Sequence, residues 1–561
     1  MLDGPIFTSP LDPDIAGDDP LGLAPVNERL YNAVFPGINN FVRYIRVYSS
    51  LCWMVDRVEQ YLLSADSQLS KSEATKIARR AYEKIQLVLV WVNQAKNYQQ
   101  LAGSRRAFPV DNREIELSFD NFGESSANLL SAVAYGPSLT NGLGFLERRS
   151  NNTFACTVAG RILANAFDEH ARTFRHYKWL ADVSDLNATR NKVFELVDLF
   201  DLGSATNSEQ HAFLGQFFPV DPSGLYQLGQ NRWLAIHLAL RATDAIAKSA
   251  AGKSAHGFAS ADQVRACMAW GRAPGGKQYD MHGTETVQRW WAILQLRQLH
   301  RLAIDTLFVV TETWLAEESD RYGDNSLDGI ANTIGRSCTP RLDKAFQPQV
   351  SRLQSHFREV QGANSSLSSL ASLGDAYAEA NLFEWIDELW DIDYSFDADG
   401  GNDAVRLAYF ALVFCASEAA NFLADPNSKT VLVSADSGPC SLVSLVSIVN
   451  RFSSSNPSDF VSYLVKNWVL LRHFQVVSDR SQVGDGKNRF RFVIGDLGLE
   501  RFNSATGIGT PAFAQDRLNH ILTLCCQCGL LEQQDEKYRL TPYGQSRLQD
   551  ESMKVSLGSI A

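Results

Sequence analysis

Two stretches far apart in this chain close in the same way, and that shared ending constrains the fold more than any other feature. One runs Phe154-Ala155-Cys156-Thr157-Val158-Ala159-Gly160-Arg161-Ile162-Leu163. The other runs Tyr538-Arg539-Leu540-Thr541-Pro542-Tyr543-Gly544-Gln545-Ser546-Arg547-Leu548. Each is a short strand of alternating apolar character, then Thr, then Gly three residues on, then an amphipathic run. Thr at such a junction is placed to cap the helix that follows, its hydroxyl accepting from a first-turn amide.

A strand that ends in a capped helix is how a winged-helix unit commonly closes, so the chain is expected to be mainly α with winged-helix (α+β) units. Its 561 residues allow several domains. At 45% hydrophobic and 20% charged, its composition is ordinary for a globular protein. The formal net charge of -11 excludes a nucleic-acid coat, so any such contact is local. The nine cysteines are an odd number set mostly in apolar runs, which reads as buried thiols in a reducing compartment. Cys525, Cys526 and Cys528 have only His520 nearby and no second pair at finger spacing, so zinc is not expected. The start of the chain lacks a basic region followed by an apolar one, and the most apolar helix, 407–423, is broken by Ser417, Glu418 and Asn421. A cytoplasmic location without a membrane partner is the expectation.

The chain divides on paper into five segments. Residues 1–25, rich in Pro, Asp and Gly, read as an extended arm. Residues 26–167 read as a helical domain ending in the first winged unit, with Ser138 to Leu146 as its third helix and Asn151-Asn152 as its hairpin turn. Within it Arg43 and Arg46 share a helix face, and their core-type neighbours point to an orienting role between packed helices. Residues 168–425 read as a helical middle domain, with Gln361 to Leu373 and Asp393 to Asn402 as linkers.

Residues 428–502 and 503–561 read as two winged units in tandem. In the first, a helix from Asp459 to His473 precedes strands at Phe474 to Ser478 and Arg489 to Ile494, joined by a Gly-rich turn at 482–487. Residues 428–561 hold 14 Lys/Arg against 12 Asp/Glu, unlike the acidic remainder. This makes Lys466, Arg472, His473, Arg480, Lys487, Arg489 and Arg491 the candidate nucleic-acid contacts, with Lys487, Arg489 and Arg491 alternating with Phe490 and Phe492 so that the cations share one strand face.

Other patterns point less far. Gly271 to Lys277 has phosphate-loop spacing, but Gln278 stands where Ser or Thr is needed, and Val264 to Trp270 reads as helix where a strand is required. Arg232 and His237 have the R-x4-H spacing of some helical ribonucleases, in which the pair supplies a general base and a phosphate stabiliser. A structural histidine is the preferred reading. The acidic run with Asp387, Asp391, Asp393, Asp397 and Asp399 reads as a solvated face or a dock for a basic partner.

The N-terminal stretch Asp19-Pro20-Leu21-Gly22-Leu23, Asn27 to Phe35, Pro36-Gly37 and Arg43-Tyr44-Ile45-Arg46-Val47-Tyr48-Ser49 resembles an uncharacterised group of bacterial proteins found among anti-phage defence genes. Trp468 to His473 with the basic strand beyond it looks like helical defence proteins with C-terminal winged helices. The resemblance implies a host-defence setting and carries over neither a reaction nor a functional residue.

These readings together predict a non-catalytic subunit of a multi-protein defence complex that engages double-stranded DNA or adapts its partner subunits, with no cofactor. A kleisin-like subunit bridging SMC-type ATPases and a nuclease using Arg232 and His237 are the alternatives.

Overall fold

The structure is a computed structural model. It describes residues 19–549 apart from 65–69, 95–115, 119–128, 132–133, 150–152, 186, 251–256, 274–277, 282, 318–323, 339–388, 390–391, 437, 439, 453–454, 482–489, 497, 503–507 and 512–515. Among the expectations above, the arm before residue 19, Asn151-Asn152, the Gln361 to Leu373 linker, Asp387, Asp391, the 482–487 turn, Lys487 and Arg489 lie outside the described residues.

The chain is mainly helical and forms two compact units, each built from separated stretches: Tyr31–Gln288 with Gln515–Ala561, and Met1–Leu30 with Arg289–Ala514. The five consecutive segments expected from composition are not these units, because each unit recruits chain from both sides of the other. The described elements, in chain order, begin with α1 (Ala24–Val34), α2 (Ile45–Ser64), α3 (Lys71–Gln94), β1 (Glu116–Ser118), β2 (Leu146–Arg148), β3 (Phe154–Cys156) and α4 (Val158–Ala171). Then come α5 (Tyr177–Ala181), β4 (Asn187–Thr189), α6 (Arg190–Phe194), α7 (Asn207–Phe217), α8 (Gln227–Ala250), β5 (Ala259–Ser260) and α9 (Ala261–Trp270). Next are α10 (Glu285–Glu317), α11 (Leu327–Arg336), α12 (Asp403–Ala424), α13 (Pro426–Ala435), α14 (Leu442–Arg451), α15 (Pro457–Leu464) and α16 (Leu471–Ser481). The last are β6 (Phe492–Gly495), β7 (Gly498–Arg501), α17 (Leu518–Gln527), β8 (Leu531–Gln534), β9 (Lys537–Leu540) and α18 (Pro542–Gln549).

In the unit that begins at Tyr31, both Thr-x-x-Gly closures form, and they match atom for atom. Gly144 (φ 70°) precedes the β2–β3 hairpin and Gly529 (φ 71°) precedes β8–β9, each in the left-handed region that glycine enters without strain. Thr157 Oγ1 donates to the Gly144 carbonyl at 2.8 Å and accepts from the Gly160 amide at 3.1 Å. Thr541 Oγ1 donates to the Gly529 carbonyl at 2.6 Å and accepts from the Gly544 amide at 2.9 Å. The second glycine is required by close approach: a Cβ on Gly160 would sit 2.0 Å from the Phe145 carbonyl oxygen, and one on Gly544 2.1 Å from that of Leu530.

The second closure is not self-contained. Its β9 pairs with β8 on one side and with β5 on the other, Ala259 opposite Tyr538 and Ser260 opposite Lys537, giving the order β5-β9-β8. Ser260 ends β5 and opens α9 with a capping box to Gln263. The module thus reads α8, β5, α9, then, after the other unit's chain, α17, β8 and β9. The expectation of a self-standing unit over 503–561 is corrected on this point, because strand pairing across such a distance leaves no mark on local periodicity.

The other unit is centred on α10 and α12. α12 is, among the described residues, the one helix long and apolar enough to cross a membrane, and 67% of its apolar window is buried in the protein. α15 continues through a π-helical stretch, Val465–Leu470, into α16. Phe474 to Ser478 is therefore helix, not the expected strand. His473, Val476, Val477 and Arg480 turn inward at helical spacing while Gln475, Ser478 and Asp479 are exposed, so the period is 3.6 where a period of two was read. The hairpin here is β6–β7, from Phe492 opposite Arg501 to Gly495 opposite Gly498. It begins beyond the expected one.

Gly160→Ala and Gly544→Ala should each destabilise their hairpin by about 1–3 kcal/mol through overpacking. The readout is an earlier thermal transition with faster hydrogen exchange confined to β2–β3 or to β8–β9. Gly144→Asn, at a site with open space and positive φ, should cost far less.

Candidate nucleic-acid interface

The described candidate cations, Lys466, Arg472, His473, Arg480 and Arg491, hold the chain's own acceptors. Lys466 pairs with Asp328 at 2.6 Å, both side chains exposed. Arg472 Nε donates to the Leu21 carbonyl at 3.0 Å, and Arg480 Nη1 to the Asp19 carbonyl at 2.8 Å. Asp19 also receives Arg480 Nη2 at 3.5 Å and Arg301 at 3.8 Å, while its carboxylate caps α1 by accepting from the Leu23 and Ala24 amides at 3.0 Å. His473 is fully buried. Its Nδ1–H donates to the Pro20 carbonyl at 3.1 Å and its Nε2 accepts from the Arg491 amide at 3.0 Å, which fixes one neutral tautomer. Burial pushes its pKa down to about 4.

Arg491 is buried and pairs with Glu312, and Arg501 Nε reaches the same Glu312 oxygen at 3.0 Å. Glu312 is itself only 1% exposed. A phosphate at this point would have to displace a buried carboxylate held by two arginines, at a cost of several kcal/mol. The expected free, one-sided cationic strand is thus not formed by Arg491. Local charge counting cannot see Asp19 and Glu312, which come from distant chain.

The turn and helix near residues 35–49 are architectural. Arg232, fully buried, donates to the carbonyls of Pro36 (2.8 Å), Gly142 (2.9 Å) and Gln216 (3.1 Å). Gly37 lies so close to Gly142 that a Cβ on it would be 2.3 Å from the Gly142 Cα. His237 is also fully buried and accepts from Arg241 Nε at 3.1 Å, so neither member of the R-x4-H pair faces solvent. Arg46 and Glu209 form a fully buried ion pair at 3.1 Å, and Ser49 Oγ donates to Glu209 as well. Arg43 Nε lies 2.9 Å from His520 Nε2 on α17, and Gln527 at the far end of α17 accepts from the Ile45 amide at 2.8 Å. Burial lowers the His520 pKa to about 4. The orienting role expected for Arg43 and Arg46 agrees with these contacts.

The remaining motifs resolve as structure. Cys525 and Cys528 are buried and Cys526 half-buried, with burial raising all three thiols. Among the described residues no group of three His, Cys, Asp or Glu side chains is placed to hold a metal. Val264 to Trp270 lies in α9, which ends at Gly271 in the left-handed conformation, so no strand precedes the phosphate-loop-like spacing. In the acidic run, Arg406 lies 3.9 Å from Asp397 and also bonds to Asp403.

Sequence reasoning passed over the exposed faces of the two closures. On β8–β9, Glu532, Gln533, Gln534, Asp535, Glu536 and Lys537 are exposed. On β2–β3, Glu147, Arg148 and Arg149 are exposed, and α4 shows Val158 (75%), Arg161 and Ile162 (56%) to solvent. The signal was present in the Arg148-Arg149 pair, but it was masked by the stronger positive run further on.

No family model, curated protein or solved structure matches this chain.

His473 and His520 predict the acid response. Their folded pKa values of about 4 lie below the ordinary 6.5, so between these limits the unfolded chain binds more protons. Stability is then fully present above about pH 6.5 and falls as pH drops towards 4. At pH 5 each histidine should cost about 2 kcal/mol. Urea unfolding at stepped pH checks this, and His473→Gln should flatten the slope by one group's share.

Proposed function

We propose that the protein is a non-catalytic adaptor subunit of a bacterial multi-protein anti-phage defence system, acting in the cytoplasm, with partner proteins supplying the enzyme. The observation that carries this is how α17 is used. The order α8, β5, α9, α17, β8, β9, with β5 paired to β9, is consistent with a winged-helix module, in which α17 would be the helix that enters a DNA groove. Here Leu518, His520, Ile521, Leu522, Leu524 and Cys525 are buried, while His520 and Gln527 bond to residues 40–45. The one residue of α17 that is exposed is Asn519. The hairpin beyond it carries Glu532, Asp535 and Glu536 against Lys537 and Arg539, an unfavourable set for phosphate. A module spent in this way supports docking of protein over reading of bases.

Double-stranded DNA is the second reading, favoured by exposed Arg148 and Arg149 on the other hairpin. Bridging of SMC-type ATPases in the kleisin manner is one form the adaptor role can take.

Affinity purification of the tagged full-length protein from cells carrying its neighbouring genes should give a stoichiometric complex on size exclusion. Duplex DNA anisotropy should show no tight, salt-dependent binding by the isolated chain. A chain that stays alone and binds duplex DNA with a steep salt slope would falsify the adaptor reading in favour of the second.

A further inference from the structure

We infer that the outward face of α4, with Arg148 and Arg149 beside it, is the docking surface for an acidic, apolar segment of a partner protein. The inference rests on the adaptor reading and names its site. Val158 and Ile162 are one turn apart on the same helix face and are 75% and 56% exposed. Arg161 stands between them in the helix, with its side chain 51% exposed. Arg149, 46% exposed, is held beside Arg161 because both pair with Glu59, at 3.3 Å for Arg161. Arg148 is exposed on β2.

The carboxylates of this network lie beneath the arginines. Glu59 and Asp56 side chains are 9% and 8% exposed, so the guanidinium edges are what solvent meets. Glu147 is the exposed acid on the same strand. Apolar side chains flanked by arginine are the anatomy of a protein interface, in which a desolvated centre supplies affinity and the charged rim selects the partner. A nucleic-acid backbone would gain nothing from Val158 and Ile162.

The second closure serves as an internal control. It has the same Gly, Thr and Gly geometry, yet the positions matching Val158, Arg161 and Ile162 are Pro542, Gln545 and Ser546. Those matching Arg148 and Arg149 are Gln533 and Gln534. The backbone therefore does not require this apolar and cationic set, and all five positions lose it together in the copy. An acidic partner with an apolar ridge complements it in both charge and hydropathy.

The test places a photo-crosslinking residue at position 158 of the full-length protein in cells carrying its neighbouring genes, and maps the product by mass spectrometry. The expected product joins residue 158 to a segment of a different protein rich in Asp or Glu and in apolar residues. Ile162→Asp and Arg148→Glu should each cut its yield about tenfold, the scale of a lost interface anchor, with thermal stability unchanged. Crosslinks to nucleic acid, to a second copy of this chain or to a neutral or basic segment would overturn the inference. So would a yield indifferent to both substitutions. A stoichiometric partner that crosslinks elsewhere removes this surface and leaves the adaptor reading standing. The absence of any partner removes both.

Discussion

A guanidinium can leave water only where acceptors are already waiting for it, and this protein is organised around that requirement. Arg232 is wholly buried, and its solution is three backbone carbonyls from three parts of the chain, those of Pro36, Gly142 and Gln216. The acceptors it uses are carbonyls left free where turns and helices end, so one charge satisfies several orphan groups at once. Arg46 with Glu209 solves the same problem by a closed ion pair, and Arg491 and Arg501 by sharing Glu312. Removing one partner from any of these leaves a buried charge uncompensated, which makes the arrangement specific even where its net contribution to stability is modest.

The stretch from Phe35 to Ser49 gains a physical meaning from this. The Pro36 carbonyl feeds Arg232, Gly37 lets the turn lie against Gly142, Arg43 reaches His520 on α17, and Arg46 and Ser49 both reach Glu209 on α7. Tyr48 adds a hydrogen bond to Ser138 at 2.6 Å and an edge contact with Tyr135. The residues from Phe35 to Ser49 are thus among those that assemble the unit.

What was legible in the sequence was local. Thr157 with Gly160, and Thr541 with Gly544, announce their closures because cap and close approach lie within a few residues of each other. The mainly helical character follows from apolar periodicity in the same way. The hairpin near residue 490 was misplaced because Phe474, Val476 and Ser478 alternate as a strand would, while the inward positions include Val477 and Arg480, which only a helix brings together. The partners of the described candidate cations were hidden for a different reason. A run of lysines and arginines reports how much charge is present, but Asp19 and Glu312 decide whether that charge is spent. No sequence rule read along the chain reaches β5 with β9.

That last pairing has a cost in time. Tyr538 leaves the ribosome about 280 residues after its partner Ala259, an interval of tens of seconds at ordinary elongation rates of about 5–20 residues per second. Throughout it, β5 presents an open edge and α8 lacks the cover that β9 will provide. Maturation of this module therefore waits on chain made long after β5, and nascent chains halted before β9 are natural clients for chaperones and proteases.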